Sequence, residues 1–230
     1  MMIYLHETIE IRGDGARPYM AAVLERARYS EENKVSRLVC TWQVIGSTSR
    51  WPRVVNLWEI DGWGHWAQSL ARQFDPSLQD THLRPWWSAM VRYRRGGFDR
   101  ILAPAAFCPT RSDILAREVR GWVTEQQIYV LPPGSLPQFF EEVEFVLRPL
   151  FQLRSISLVG AYSVPMRPGE ALILWSAPDF ASLCHWWEER EAVEGWRAWQ
   201  QRLSRWKARQ RVSWLVPFAG TILSPQREAR

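Results

Sequence analysis

The chain has 230 residues, 29 basic against 24 acidic side chains for a formal net charge of +5, and is 47% hydrophobic. That is enough apolar chain for one large domain or two small ones with a real core, and it excludes disorder. No apolar run reaches the roughly eighteen residues that a membrane-spanning helix needs.

The first strand is predicted at Ile3 to Ile11, rich in β-branched residues and ended by the turn signal Gly13-Asp14-Gly15. Pro18 stands in the first turn of a helix whose apolar residues Met20, Val23, Leu24 and Ala27 follow helical spacing. Strands follow at about Arg37 to Ile45 and Val54 to Ile60. Asp61 is a candidate N-cap for a helix from Trp63, interrupted at Asp75-Pro76 and resumed from His82 to Arg94. A fourth strand, Phe98 to Ala103, stops at Pro104. The second half repeats the plan with a strand from Trp122 to Leu131, a helix from Leu136 to Leu147 ended by Pro149, and strands at Ser157 to Val164 and Ala171 to Ala177. Asp179 then heads a long helix to about Arg209, before a last strand from Arg211 to Val216.

The halves match each other. Ile9 falls on Ile128 and Gly15 on Gly134, an offset of 119; Leu38-Val39 falls on Leu158-Val159 at 120, Leu57-Trp58 on Leu174-Trp175 at 117, and Ile101-Leu102 on Trp214-Leu215 at 113. The expected fold is α+β, with two ferredoxin-like βαββαβ repeats in residues 1–110 and 121–225, a linker at 111–120 and a tail at 226–230. A four-stranded sheet with both helices on one face leaves its other face bare. Packing the two antiparallel sheets face to face buries both, giving a dimeric α+β barrel within one chain.

The motifs Glu125-x-x-x-Tyr129-x-x-x-Pro133-Gly134, Leu158-Val159-Gly160-x-Tyr162, Leu174-Trp175 and Leu215-Val216-Pro217 resemble a NIPSNAP-type domain of the dimeric α+β-barrel superfamily. The first half is similar, with Trp58-Glu59-Ile60-Asp61 in the place of the family's Leu-Trp-x-Tyr segment. Where the family carries Glu-x-Arg-x-Tyr, the second half has Glu125, Gln127 and Tyr129, and by the glycine alignment the first half has His6, Thr8 and Glu10. The resemblance implies a ligand cavity between a sheet and its helices. It does not select a reaction, since the superfamily includes cofactor-free monooxygenases, cyclases, isomerases, lactone-forming or dehalogenating enzymes, and haem proteins.

Strand alternation puts Tyr4, His6 and Thr8 on one face of the first strand, opposite Glu7. Asn56 and Trp58 share a face of the third, and Trp42 shares one with Cys40 and Leu38 on the second. His6 is the acid–base candidate because imidazole titrates near neutrality, with Glu7 or Glu10 able to orient it only across a bulge. Asn56, in an otherwise apolar strand, must be hydrogen-bonded if buried, and its counterpart Ile173 suggests that the first half holds the polar cavity. His65, among Trp63, Gly64 and Trp66, is a further catalytic candidate, with its plain alternative a position on the helix surface. Trp63, Trp66, Trp42, Trp58, Tyr4 and Thr8 are candidate contacts to a hydrophobic or aromatic small molecule. The other reading of the Trp-rich helices, including Trp86, Trp87, Trp186, Trp187, Trp196 and Trp199, is core packing. His185 could mirror the axial histidine of barrel haem proteins, against the Trp density around it.

No phosphate-binding loop, dinucleotide fingerprint, zinc motif or CxxC pair occurs, so neither cofactor nor metal is expected. Lysine occurs only at Lys34 and Lys207; the remaining basic residues are arginine, whose planar fork recognises carboxylate or phosphate. Interspersed acidic residues speak against nucleic acid as a partner, while a second copy of the chain stays open. Cys40, Cys108 and Cys184 lack ligand spacing and the N-terminus is polar, so a cytoplasmic protein is expected. The leading expectation is a cofactor-independent cyclase-, isomerase- or lyase-like enzyme. Its alternatives are a non-catalytic binding protein and a cofactor-free monooxygenase in which Trp42, Trp58 and Asn56 shape the site.

Overall fold

The computed structural model of the chain describes residues 1–78 and 81–225. The first half runs β1 (Ile3–Ile11), α1 (Ala16–Glu32), β2 (Arg37–Val44), β3 (Arg53–Ile60), α2 (Trp63–Phe74), α3 (Leu83–Met90) and β4 (Arg94–Pro104). A short helix, α4 (Arg111–Ala116), leads to β5 (Val123–Val130). Then come α5 (Leu136–Glu142), α6 (Arg148–Gln152), β6 (Ser157–Ser163), β7 (Glu170–Ala177), α7 (Phe180–Glu189), α8 (Glu194–Arg205) and β8 (Arg209–Pro217). The residues 226–230 assigned to a tail lie outside the described residues.

The eight strands close into one antiparallel barrel in the order β1-β3-β2-β8-β5-β7-β6-β4. The two sheets therefore face each other and also join at both edges, where Gln43 pairs with Val216 and Ala103 with Ser163. Closure within one chain leaves no open strand edge among the described residues. Each strand has an inner face on the barrel lumen and an outer face that helices largely cover, save at the exposed stretch Arg95 to Asp99 of β4. Tyr4, Trp42, Leu57, Tyr162, Leu172, Leu174 and Leu215 share the inner core. Ile9, Ile11, Val54 and Trp58 pack outward against α1 in the first half; Tyr129, Ile173 and Trp175 pack outward in the second.

Ladder register fixes the internal symmetry. Both second strands carry a bulge, at Leu38/Cys40 and at Leu158/Gly160, after which Cys40 pairs with Leu57 and Gly160 with Leu174. These pairs reproduce the offsets of 120 and 117, and the pairs Tyr4 with Leu102 and Thr124 with Leu215 reproduce 113 while setting β1 to β5 at 120. The offset of 119 drawn from the turn glycines is therefore corrected on the first strand. His6 corresponds to Gln126, and Leu5, Glu7 and Ile9 stand where Glu125, Gln127 and Tyr129 do. The same bulge separates Leu38, which faces outward, from Cys40 and Trp42, which face the lumen.

Several element ends differ from expectation; the helix expected to reach Arg94 stops at Met90, and β4 already begins at Arg94. Gly62, at φ 98°, takes the N-cap of α2, because Asp61 is held by the Arg37 guanidinium instead. Pro149 does not end its helix: a π-helical turn, Val143–Leu147, precedes α6 and removes the intrahelical bond that a proline nitrogen cannot make. The helix after Asp179 breaks at Val193, which is extended, although Asp179 caps α7 through the Ser182 N–H as expected. One end of the lumen is plugged by Ile114 of α4 and by Ile222 and Leu223 beyond β8. A Thr110–Asp113 capping box holds α4, and the Glu59 carboxylate, accepting from Tyr4 Oη (2.8 Å) and the Arg111 N–H (2.9 Å), ties the plug to the barrel.

A Cβ on Gly160 would meet the fully buried Tyr162 ring at 2.2 Å. Gly160→Ala is expected to lower the unfolding free energy by about 1–3 kcal/mol, measured as a shift in urea midpoint.

Candidate functional site

On the outer face of the first half, the sheet is roofed by helices without being filled by them. A cavity of about 160 Å³ lies there. Its floor is Leu5 and Glu7 of β1 with Trp58 and Ile60 of β3; its walls are Val23 and Arg26 of α1, Arg72 of α2, and Leu83, Trp86 and Trp87 of α3. The reason is local: α2 contributes no fully buried side chain. A dry cavity of roughly 150 Å³ takes a benzene ring, so this space suits a ligand of one or two rings.

Among the described residues Glu7 is the only carboxylate lining this cavity, and it is 8% exposed. Its Oε2 accepts from Trp58 Nε1 at 2.7 Å and from Asn56 Nδ2 at 3.0 Å. Asn56 is fixed in turn, its Oδ1 accepting from Thr41 Oγ1 at 2.6 Å and its Nδ2 lying 3.5 Å from Tyr19 Oη. Among the described residues no hydrogen bond holds Glu7 Oε1. Burial pushes the carboxyl above its ordinary range, and its cross-strand neighbour Asp99 adds to the shift. The hydrogen bonds from Asn56 and Trp58 and the charge of Arg94 oppose it.

The structure separates residues that the sequence reading grouped. Asn56 and Trp58 are in the outer cluster, but Asn56 pairs across the ladder with Glu7, and His6 pairs with Leu57. His6 and Asn56 therefore lie on opposite faces of one sheet and cannot share a cavity. His6, Tyr4, Thr8 and Trp42 are lumen residues, all buried. His6 Nε2 donates to Gln126 Oε1 at 2.7 Å, joining symmetry-related positions across the lumen, and its Nδ1 is buried without a partner. Trp42 Nε1 donates to Thr124 Oγ1 at 3.0 Å. His65 is half-buried on α2 and, with Trp63 and Trp66, stands outside the cavity lining. Trp63 is 39% exposed and stacks edge-on to Trp66, which leans on Ile3, Ile60 and Ile101. His185 is 67% exposed and paired with Glu189, so it does not reach a sheet–helix interior.

Glu7, Trp86 and Trp87 are the cavity residues that sequence reasoning missed as site members. A signal existed for the first: Glu7 is the lone carboxylate in the row Leu5, Glu7, Ile9, Ile11. In the second half, the equivalent region is solid. Glu125 Oε2 accepts from Trp187 and Trp214, Gln127 bridges Glu125, Tyr129 and Trp175, and Phe139, Phe151, Trp186, Trp196 and Trp199 fill the remaining space. None of the described cavities is lined by Glu125, Gln127 or Tyr129.

No protein-family model matches the chain, and no curated protein matches it. Solved structures do. A candidate monooxygenase from Lactobacillus acidophilus superposes with a TM-score of 0.63 over 94% of this chain and 93% of its own, at 9% identity. A candidate chlorite dismutase gives 0.51 over 95% of each chain at 10% identity. A NIPSNAP domain protein from Burkholderia xenovorans covers 48% of this chain and 100% of its own at 22% identity, with a TM-score of 0.37. The two full-length likenesses establish the fold, a dimeric α+β barrel, and leave the reaction open.

His6 offers a direct check on the lumen. Burial, reinforced by the Arg100 charge, lowers its pKa from 6.5 to about 4, so folding favours the neutral ring. The unfolded chain protonates first as pH falls; the contribution is complete above pH 6.5 and is lost on descending towards pH 4. A shift of that size corresponds to roughly 3 kcal/mol. His6→Gln, which copies the symmetry mate Gln126, is expected to flatten this acid limb in urea unfolding measured from pH 7 to 4.5.

Proposed function

We propose that the chain is a cofactor-independent enzyme that performs proton transfer on a small apolar molecule of one or two rings, with Glu7 as the acid–base group. The observation that supports this reading is a carboxylate, the only one among the described lining residues, at the floor of a largely apolar cavity, with one oxygen anchored and the other held by no described hydrogen bond. Asn56 and Trp58 fix the carboxylate, and Thr41 fixes Asn56, so Oε1 keeps one orientation towards the cavity. A raised pKa suits a group that must both accept and return a proton near neutral pH. Ionised Glu7 would take a proton from a carbon beside a carbonyl, leaving an enolate; the resulting acid would return the proton to another carbon or to a leaving group. Cyclase, isomerase and lyase chemistry all pass through that step. Trp86 and Trp87 would pack on the ring, and the α2–α3 roof would exclude water.

The likeness to candidate monooxygenases favours one second reading, in which the same base forms a carbanion that reacts with dioxygen. Trp58 and Asn56 fit that role. Trp42 does not, since it faces the lumen.

The test incubates the protein in D₂O with a bicyclic aryl ketone such as β-tetralone, following deuterium incorporation by mass spectrometry and binding by tryptophan fluorescence. Glu7→Gln is expected to retain binding and lose exchange by about 10²–10⁴-fold. Exchange that persists in the variant, or ketone binding that does not quench tryptophan, would sink the proposal.

A further inference from the structure

The lumen has a second end, and it is built differently from the plugged one. Around the barrel, β1 and β5 are four antiparallel steps apart and so run in the same direction. The internal two-fold therefore runs along the barrel axis, and the late residues of β1 and β5 gather at one mouth. His6 and Gln126 are bonded to each other across the axis inside the lumen. Above them opens a cavity of about 480 Å³ whose walls carry Arg100, Arg167, Arg209 and Arg211 against one acid, Glu170.

Arg100, Glu170, Arg209 and Arg211 share the inner-face parity of Leu102, Leu172 and Leu215 on their strands, so all four point into this mouth. Arg100 is only 7% exposed. Its Nε is held by the Glu170 carboxylate, but Nη1 is buried with no partner. Arg167 reaches the same carboxylate at 3.6 Å, so a single acid serves two guanidinium groups. Among the described residues no ion pair balances Arg209 or Arg211. Across the mouth, Glu10 is already taken by Arg50 at 3.2 Å and Arg53 at 3.1 Å. Four guanidinium groups around one carboxylate, two of them in contact with it, leave a charge excess, and a buried N–H without an acceptor is destabilising. A ligand bringing several anionic oxygens would satisfy both deficits at once, and the planar guanidinium fork matches such oxygens bidentately.

We infer that this open mouth is a binding site for a small polyanion carrying phosphate or clustered carboxylates, with Arg100 Nη1 as its innermost donor and Arg209 and Arg211 as its rim. The site lies on the opposite face of β1 from the Glu7 cavity and does not depend on what that cavity does.

The test is isothermal titration of the whole chain with inorganic pyrophosphate and, separately, with citrate, at a fixed ionic strength of about 0.15 M, where long-range screening is constant. Because Arg100 anchors Glu170, the substitutions are placed on the exposed rim, as the double variant Arg209→Gln and Arg211→Gln. The control, Arg197→Gln with Arg205→Gln on α8, removes the same charge elsewhere. Saturable one-site binding is expected, weakened at least tenfold in the rim variant and unchanged in the control. Preference for pyrophosphate or for citrate then assigns the phosphate or the carboxylate source. Absence of saturable binding, or equal loss in both double variants, would overturn the site. Unchanged thermal unfolding of the ligand-free rim variant verifies that it is folded.

Discussion

A sheet that closes on itself and is wrapped by helices leaves its central strands no solvent face, with exposure confined mainly to stretches such as Arg95 to Asp99 of β4 and the start of β8, and that constraint governs most of this molecule. In β3 and β7 almost every residue is buried, which is why Val-Val-Asn-Leu-Trp-Glu-Ile and Ala-Leu-Ile-Leu-Trp-Ser-Ala read as nearly continuous apolar runs. Each polar residue in such a strand must find a partner inside the protein or offer itself to a ligand. Glu59 ties the plug, Gln126 meets His6 and Ser213, and Gln127 bridges three neighbours. The exceptions are few. His6 Nδ1, Ser176 Oγ and Arg100 Nη1 are buried lumen-side atoms without a hydrogen bond; Arg100 lines the arginine mouth and Glu7 the outer cavity, the two places where the barrel has room.

The halves diverge because they spend their aromatic residues differently. In the second, Trp186, Trp196 and Trp199 are buried between the helices and the sheet with Phe139 and Phe151. A buried aromatic side chain removes about 150–250 Å² from water, on the order of 4–6 kcal/mol of gross transfer free energy at 25 cal/mol per Å². In the first half, Trp63, Trp66, Trp86 and Trp87 are exposed or half-buried, and α2 only roofs the sheet. The stability forgone there is the condition for a cavity. Substitutions at matched positions point the same way: Asn56 stands where the second half has Ile173, and Leu5 where it has Glu125.

Much of this was legible in the sequence. The duplication, the βαββαβ order and the barrel follow from matched blocks whose offsets of 120, 117 and 113 recur in the ladders. Asn56 could be singled out because an amide in an apolar run must be paired, and it is paired on both ends. The grouping of His6 with Asn56 could not be tested that way. Alternation assigns faces within one strand, but which face of β1 meets which face of β3 depends on register, and one residue of register exchanges inside for outside. The glycine alignment missed by one residue. That step put His6 in the place of Glu125 and hid Glu7. The bulge at Leu38/Cys40 likewise moved Trp42 away from Leu38, and bulges leave no reliable trace in a hydrophobic pattern.

Neighbouring residues of β1 show how one physical cause serves two surfaces. Burial opposes charge at both Glu7 and His6, raising the carboxyl and lowering the imidazole, so each is held nearer its neutral form. A charge of like sign deepens each shift, Asp99 on the outer side and Arg100 on the inner. The side chains themselves point apart, one under the α2–α3 roof and the other into the lumen, and the residues lining the two cavities have none in common. Perturbation of one is therefore expected to reach the other only through the shared backbone of β1, which its ladders with β3 and β4 hold on both sides. The division of labour follows the duplication: the first repeat holds a buried carboxyl under its outer roof, while the second, whose own sheet–helix interior is packed solid, supplies Arg167, Glu170, Arg209 and Arg211 to the mouth inside the barrel.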